Sequence, residues 1–223
     1  MPLDPRRRFP VMCLTQDGLG VSHSTQVSRL CAAGAKWIQL RMKEASDPVR
    51  RTEARACVDE CRRHGSILIV NDRVDIALES GADGVHLGRL DAGWTEARRL
   101  LGPSFIIGGT VNNPGDARLA VSSGCLDYAG VGPLRFTATK RALSPVIGID
   151  GAGRLIRELR GLPAWVIGGV EPADMTGIRE AGAAGAAVSS CLFREDLIER
   201  NFCELLESWN QAPEAIRQPA VPA

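Results

Sequence analysis

The chain alternates short apolar runs with longer stretches that are typical of helices, and a glycine separates most of them. These glycines are Gly34, Gly65, Gly81, Gly102, Gly124, Gly161 and Gly182. Glycine is common just past a helix end because it adopts the left-handed conformation without steric cost. The apolar runs are predicted strands, at Val11–Thr15, Trp37–Arg41, Ile67–Asn71, Gly84–Gly88, Phe105–Thr110, Tyr128–Gly132, Ala164–Gly169 and Ala186–Ser190. Strands that alternate with helices in this way predict an α/β fold, a single TIM-type (β/α)8 barrel.

Local signals also predict where helices begin and how long they are. Proline stands at a first helical position in Asp47-Pro48, Asn113-Pro114 and Glu171-Pro172, the first two behind residues that commonly cap helices. The short interval between Gly65 and Gly81 leaves room for a helix of about two turns. The long interval between Gly124 and Gly161 must contain a long loop, where we look for function.

Length and composition favour one domain and a small ligand. The chain has 223 residues, of which 44% are hydrophobic, and its net charge is only +1. One barrel core fits this length, and the charge does not favour attraction to nucleic acid or to a membrane surface. We predict a catalytic barrel domain over residues 1–210 and a disordered, proline-containing tail over residues 211–223.

The sequence also predicts where the protein is located and the state of its cysteines. No apolar run approaches the roughly 20 residues of a membrane span, and the start of the chain does not resemble a signal peptide. We expect a cytoplasmic protein with small-molecule substrates and without nucleic-acid or membrane partners; a homo-oligomer stays open. The 7 cysteines have no CxxC spacing, which favours buried thiols over disulfides or zinc ligands.

Polar side chains follow several of the predicted strands, at the end of a barrel where the active site normally lies. Gln39, Arg41 and Lys43 alternate with apolar residues, so their side chains share one face and can point into the barrel mouth. The alternative, solvated charges past a strand end, is disfavoured because an inward-facing glutamine and arginine are costly without partners. Later strands and loops add Asn71, Asp72, Asp91, Thr110, Thr137, Thr139 and Lys140.

Cations and carboxylates at one site suit a polyphosphate that is held with Mg²⁺. Carboxylates bind this hard cation, and arginine and lysine neutralise the remaining phosphate oxygens. Asp72 and Asp91 are therefore candidate metal ligands. Because Asp72 directly precedes a predicted helix, a capping role is its alternative.

The last two strands end in small residues instead. Gly168-Gly169 follows the seventh strand, and Val188-Ser189-Ser190 ends the eighth. Backbone N–H groups at these two places commonly bind phosphate in such barrels. We predict a monophosphate site there, with tight glycine packing as the alternative.

Five segments resemble the motifs of the thiamine-phosphate synthase family, and the likeness covers most of residues 11–193. They are IQLRMK (38–43), IVNDRVDIALESGADGVHLGRLD (69–91), VGPLRFTATK (131–140), VIGGV (166–170) and GAAGAAVSS (182–190). The resemblance implies a transferase that joins 4-amino-5-hydroxymethyl-2-methylpyrimidine diphosphate to 4-methyl-5-(2-hydroxyethyl)thiazole phosphate. Diphosphate leaves, thiamine phosphate forms, and Mg²⁺ is the implied cofactor.

The resemblance also implies a role for each matching residue. Asp72 and Asp91 would hold magnesium, and Thr137, Gly169, Val188 and Ser189 would hold the thiazole phosphate. The pyrimidine diphosphate would be bound by Gln39, Arg41, Lys43, Asn71, Thr110, Thr139 and Lys140, of which Arg41, Lys43 and Lys140 would be catalytic. The chain departs from the family pattern at Leu134-Arg135-Phe136, where Ile-Phe-Pro is usual, at Thr110 and at Ala184.

This chemistry needs no protein nucleophile or general base. The aminopyrimidine can stabilise the benzylic-type cation that diphosphate leaves behind, and the thiazole nitrogen then captures it. His86 is accordingly predicted to pack or hydrogen-bond inside the barrel, and His23 and His64 receive no role. A thiazole tautomerase-like isomerase is disfavoured by Asp91 and Lys140. A non-catalytic phosphate-binding barrel is disfavoured because every position of the diphosphate half is filled.

Overall fold

Eight parallel strands close into a barrel in which each strand pairs with the next and the last pairs with the first. The computed structural model describes residues 9–88, 91, 93–136 and 145–211. The strands are β1 (Val11–Leu14), β2 (Trp37–Leu40), β3 (Ile67–Asn71), β4 (Gly84–Leu87), β5 (Ile106–Val111), β6 (Tyr128–Val131), β7 (Ala164–Ile167) and β8 (Gly185–Val188). The predicted single TIM-type barrel is confirmed, and every predicted strand is present within two residues of its predicted bounds.

Helices surround the barrel and alternate with the strands. They are α1 (His23–Ala32), α2 (Asp47–His64), α3 (Val74–Ser80), α4 (Trp94–Leu101), α5 (Pro114–Ser123), α6 (Gly148–Glu158), α7 (Met175–Glu180) and α8 (Ile198–Asn210). Two 3₁₀ helices, Pro172–Asp174 and Ser190–Asp196, follow β7 and β8. All the glycines predicted to end helices have φ between 59° and 95°, as the sequence pattern required.

The predicted helix starts are correct in two cases and wrong in one. The Asn113 side chain accepts a hydrogen bond from the Asp116 N–H at 3.0 Å, which caps α5. Glu171 precedes the 3₁₀ helix that begins at Pro172, as predicted. Asp47 was expected to cap α2, but Ser46 holds that position. The Asp47 carboxylate instead forms an ion pair with Arg73, which lies between β3 and α3.

Aromatic side chains fill the barrel interior beneath the polar mouth. Trp37, Tyr128 and Trp165 are fully buried and contact one another, with ring centroids 4.9–5.6 Å apart. Such aromatic pairs add about 0.5–1.5 kcal/mol each beyond the area that they bury. Gly108 makes room for them, because a Cβ there would lie 2.1 Å from the Tyr128 ring. A rigid apolar floor therefore supports the residues at the strand ends.

The buried thiols predicted from the cysteine spacing are confirmed for every cysteine except one. All cysteines are free thiols; Cys203 alone is exposed, and the others are buried. None of the described helices is long and apolar enough to cross a membrane. Most of the predicted tail, residues 212–223, lies outside the described residues, so its disorder stays a prediction.

Candidate active site at the carboxyl ends of the strands

The loops after β2 and β3 bring a cation and a carboxylate together, as predicted. Lys43 Nζ forms an ion pair with Asp72 Oδ2. The Lys43 side chain is 46% exposed, so its ammonium group lies at the open mouth of the barrel. Arg41 is partly buried at the same edge, and Gln39 is buried in the interior, where its Nε2 lies 3.5 Å from Met12 Sδ. All three side chains of this predicted set therefore lie at or beneath the mouth.

Asp72 adopts a backbone conformation that is uncommon outside glycine. Its φ is +66°, and its N–H donates to the His86 carbonyl at 2.8 Å. The left-handed region costs an L-residue about 1–2 kcal/mol, and such strain clusters at functional sites. The capping interpretation is wrong, because Arg73 is the residue that precedes α3 and no side chain caps that helix. The turn places the Asp72 carboxylate at the mouth, beside Lys43.

Asp91 lies close enough to Asp72 for the charge of Asp72 to act on its carboxyl group. Burial and the negative charge of Asp72 raise the pKa of Asp91. Asp91 Oδ2 accepts a hydrogen bond from the Gly88 N–H at 2.6 Å. A Cβ on residue 88 would lie only 2.9 Å from the same oxygen, so a side chain there would displace the Asp91 carboxylate.

This carboxylate pair fits a magnesium ion. The neighbouring charge that raises the cost of ionising Asp91 favours a bound cation, which would remove the repulsion. Within the described parts of the chain, no group of three or more His, Cys, Asp or Glu side chains could hold a metal. Mg²⁺ is commonly bound by one or two carboxylates together with water and substrate phosphates. Asp72 and Asp91 match that sparse ligand set.

His86 is held by hydrogen bonds inside the barrel, which confirms the prediction for this residue. Its Nδ1 lies 3.1 Å from the Tyr128 hydroxyl, and its Nε2 lies 3.0 Å from Thr110 Oγ1. Burial raises the pKa of Tyr128, so its hydroxyl stays protonated. His86 thus links the buried aromatic floor to the Thr110 hydroxyl, at the predicted pyrimidine end of the site.

The loop after β7 makes a tight glycine turn, and the loop after β6 lies along it. Gly168 and Gly169 have φ of +103° and +68°. The N–H groups of Leu134 and Arg135 donate to the carbonyls of Ile167 and Gly168 at 2.8 and 2.9 Å. The two loops are therefore joined through their backbones beside the predicted monophosphate site.

Arg135, a departure from the family pattern, joins the same two loops through its side chain. Its guanidinium forms a two-bond ion pair with Asp174 and donates to the Gly169 carbonyl at 3.0 Å. Burial alone would raise the pKa of Asp174, but Arg135 and the Glu171 N–H lower it below its usual value. The ion pair is therefore formed at neutral pH and supports the glycine turn.

We expect Arg135→Met to destabilise the protein by about 1 kcal/mol at pH 7, because the half-exposed guanidinium loses charged hydrogen bonds. An Asp whose pKa is lowered by folding contributes stability above its unfolded pKa and loses it as the pH falls through the folded value. The deficit relative to the wild type should therefore shrink below pH of about 4. Urea unfolding at several pH values measures this. Arg118→Met, at an exposed position on α5, is the control, and a deficit independent of pH would contradict the assignment.

The loop after β1 closes the site beside β8, and sequence reasoning missed its residues. Ser189 Oγ lies 3.5 Å from Gln16 Oε1. Gln26 is fully buried and forms two hydrogen bonds of 2.9 Å with the Gln16 backbone. The signal was present in Thr15-Gln16-Asp17, a polar run at the end of the first predicted strand.

The remaining predicted residues divide into two groups. Asn71 and Ser189 are partly buried at the mouth, and Val188 is 2% exposed. Thr137, Thr139 and Lys140 lie outside the described residues, and their roles stay predictions.

The fold and the site together define a class of protein. Charged side chains after β2, β3 and β4 and a glycine turn after β7 are typical of (β/α)8 barrel enzymes that act on phosphorylated substrates.

Comparisons with known proteins place the chain more narrowly. The model of the thiamine monophosphate synthase family matches residues 11–192. A thiamine-phosphate synthase of Myxococcus xanthus is 41% identical over 194 residues, covering 86% of this chain and 87% of the relative. One of Bacteroides fragilis is 42% identical over 165 residues, covering 72% of this chain and 80% of the relative.

A solved structure agrees with these relatives. The thiamine phosphate pyrophosphorylase from Pyrococcus furiosus superimposes with a TM-score of 0.83 at 27% identity, covering 92% of this chain and 98% of that chain. The chain belongs to the thiamine monophosphate synthase family. The motifs implied a transferase with thiamine-phosphate synthase activity, and these relatives confirm that activity.

Proposed function

We propose that this barrel joins the pyrimidine diphosphate to the thiazole phosphate by dissociative loss of diphosphate, assisted by magnesium at Asp72 and Asp91. The observation that carries the proposal is the meeting of Lys43, Asp72 and Asp91 from three different loops. A tautomerase-like isomerase handles no diphosphate and would not need this set. The synthase is therefore favoured over both alternatives.

The charged end of the site would bind the diphosphate. Asp72 and Asp91 would hold magnesium, which when bound supplies Lewis-acid neutralisation of the phosphate charge. Lys43 would exchange its ion pair with Asp72 for a diphosphate oxygen, and Arg41 lies on the same loop to neutralise another. Lys140 stays the predicted third cation.

The reaction would then depend on electrostatic stabilisation. As the carbon–oxygen bond breaks, negative charge would collect on the departing diphosphate, which Arg41 and Lys43 would neutralise. Donors placed in advance, where charge develops, are commonly the largest single contribution to catalysis. The two electrons leave with the diphosphate, and the thiazole nitrogen supplies the pair that forms the new bond. No side chain has to act as a nucleophile or a base.

The remaining residues would contact the pyrimidine ring and the thiazole phosphate. Gln39, Asn71 and Thr110 would contact the pyrimidine, with the Thr110 hydroxyl held by His86 at 3.0 Å. The backbones of Gly169, Val188 and Ser189 would hold the thiazole phosphate at the ends of β7 and β8, with Thr137 as a further predicted contact. Thr139 stays a predicted contact of the pyrimidine diphosphate. The cytoplasmic location and a homo-oligomeric state also stay predictions.

An assay of diphosphate release tests the proposal. We expect release only when both substrates and Mg²⁺ are present, loss of activity in excess chelator, and recovery when Mg²⁺ is added back. Omitting the thiazole phosphate is the matched control for simple hydrolysis. Full turnover in excess chelator would contradict the metal assignment. Absence of any release with both substrates and Mg²⁺ would contradict the proposed function itself.

A further inference from the structure

We propose that His23 is a positioning residue for the diphosphate end of the site. Its imidazole connects the two side chains that hold the backbone of Arg41 and Lys43. The inference rests on the proposed function, since it assumes that these two cations bind the diphosphate. The His23 ring is hydrogen-bonded to Thr15 and Asp17, so it would act through the loop between β2 and α2.

The imidazole of His23 is buried between two side chains of the loop after β1. His23 is the first residue of α1 and is 7% exposed. Its Nδ1 lies 2.7 Å from Thr15 Oγ1, and its Nε2 lies 3.2 Å from Asp17 Oδ1. Thr15 is fully buried, so its hydroxyl must find its partners inside the protein.

The same two side chains hold the loop that carries the cations. Thr15 Oγ1 accepts a hydrogen bond from the Arg41 N–H at 3.0 Å. Asp17 Oδ2 accepts one from the Lys43 N–H at 2.9 Å. One imidazole therefore orients both acceptors on which the backbone of the two cationic residues depends.

One arrangement of protons gives each of these hydrogen bonds a donor and an acceptor. An ionised Asp17 can only accept, so His23 Nε2–H donates to it. In a neutral ring Nδ1 is then an acceptor, and the Thr15 hydroxyl donates to it. The hydroxyl oxygen keeps its lone pairs for the Arg41 N–H. Every donor and acceptor in this group has a partner, as a buried polar network requires.

The cationic loop is also held from its other side, which leaves it little freedom. Arg50 donates to the carbonyls of Met42 and Lys43 at 3.1 and 3.0 Å. The Lys43 peptide thus has both its N–H and its C=O bonded to side chains from other segments. Reaction rates fall steeply when a catalytic group is displaced by about 1 Å. Loosening one side of this loop should therefore change the kinetic constants measurably.

The test is His23→Ala, assayed for diphosphate release with each substrate varied in turn. We expect the Michaelis constant for the pyrimidine diphosphate to rise about fivefold, the effect of about one net hydrogen bond. The constant for the thiazole phosphate should stay within about twofold, since its predicted contacts lie at β7 and β8. His64→Ala, at the exposed end of α2, is the matched control and should change neither constant.

A second pair of variants examines the same network without removing the imidazole. Thr15→Val keeps the shape but removes the hydroxyl, and it should reproduce the loss in His23→Ala; Thr15→Ser should retain most of the wild-type behaviour. The double variant His23→Ala/Thr15→Val should lose less than the product of the single losses, because both act on one loop. If His23→Ala does not fold, the test is the comparison of the Michaelis constants for the pyrimidine diphosphate in Thr15→Val and Thr15→Ser.

The outcomes separate this inference from the proposed function. Equal weakening of both substrates in a folded His23→Ala or Thr15→Val protein would show a general structural role and overturn the inference. An unchanged constant for the pyrimidine diphosphate would overturn it as well. A wild-type protein that releases no diphosphate would instead overturn the proposed function.

Discussion

Replacing Asp72 by glycine is expected to reduce thiamine-phosphate synthesis at least about a hundredfold, a barrier increase of about 2.7 kcal/mol. The stability of the barrel should change by less than about 1 kcal/mol. The substitution removes a proposed metal ligand and the partner of Lys43. It also relieves the φ of +66°, and it frees Asp91 from a neighbouring negative charge. Activity and stability should therefore separate in this one variant, as measured by diphosphate release and by urea unfolding.

Two controls separate the carboxylate from the backbone. Asp72→Ala loses the same carboxylate but keeps a side chain at positive φ, so it should be as inactive as Asp72→Gly and about 1 kcal/mol less stable. Arg160 has a φ of +50° at an exposed position between α6 and β7, far along the chain from the carboxylates. Arg160→Gly should keep full activity. An active Asp72→Gly would show that the carboxylate is not a ligand.

The sequence was sufficient to predict the barrel because the signals for its strands and helix ends are local and recur along the chain. Each glycine after a helix needs only its own backbone conformation, and each strand needs only its own apolar run. The meeting of Lys43 and Asp72 was predictable for a related reason. In a closed parallel barrel the carboxyl ends of all strands face the same side, so residues after neighbouring strands must converge.

His23 and Arg135 could not be assigned in this way, because their partners are set by tertiary structure. His23 received no role from the sequence, because its significance depends on its hydrogen bonds with Thr15 and Asp17. Arg135 looked like an irregularity until its ion pair with Asp174 joined two loops. Neither partnership has a fixed spacing that a sequence pattern could show.

The incorrect cap at Asp47 has a similar physical cause. Aspartate is a good capping residue, and the residue before it, Ser46, is another. The carboxylate of Asp47 is bound by Arg73 and Arg50, whose guanidinium groups lower its pKa to about 2. A charged partner from another loop thus outweighed the local preference, which the sequence alone does not rank.

Gly169→Val should selectively weaken the binding of the thiazole phosphate, because the substitution changes the turn after β7 and leaves the carboxylates unchanged. Residue 169 has a φ of +68°, and a Cβ there would lie 3.1 Å from Arg135 Cβ and 3.4 Å from the Phe136 carbonyl oxygen. Branched carbons at that point push the loop after β6 away from the turn and crowd backbone N–H groups that must approach an anion. We expect the Michaelis constant for the thiazole phosphate to rise at least about tenfold, or about 1.4 kcal/mol.

The control for this variant must carry the same backbone strain elsewhere, and Gly65 provides it. Its φ is +60°, a Cβ there would meet nothing within 4 Å, and it ends α2 at the opposite end of the barrel. Gly65→Val should lose stability but keep both Michaelis constants. Calorimetry should show that Gly169→Val binds the pyrimidine diphosphate with Mg²⁺ at near wild-type affinity. If both ligands weaken equally in a protein with an intact circular dichroism spectrum, the glycine turn does not belong to the second substrate alone.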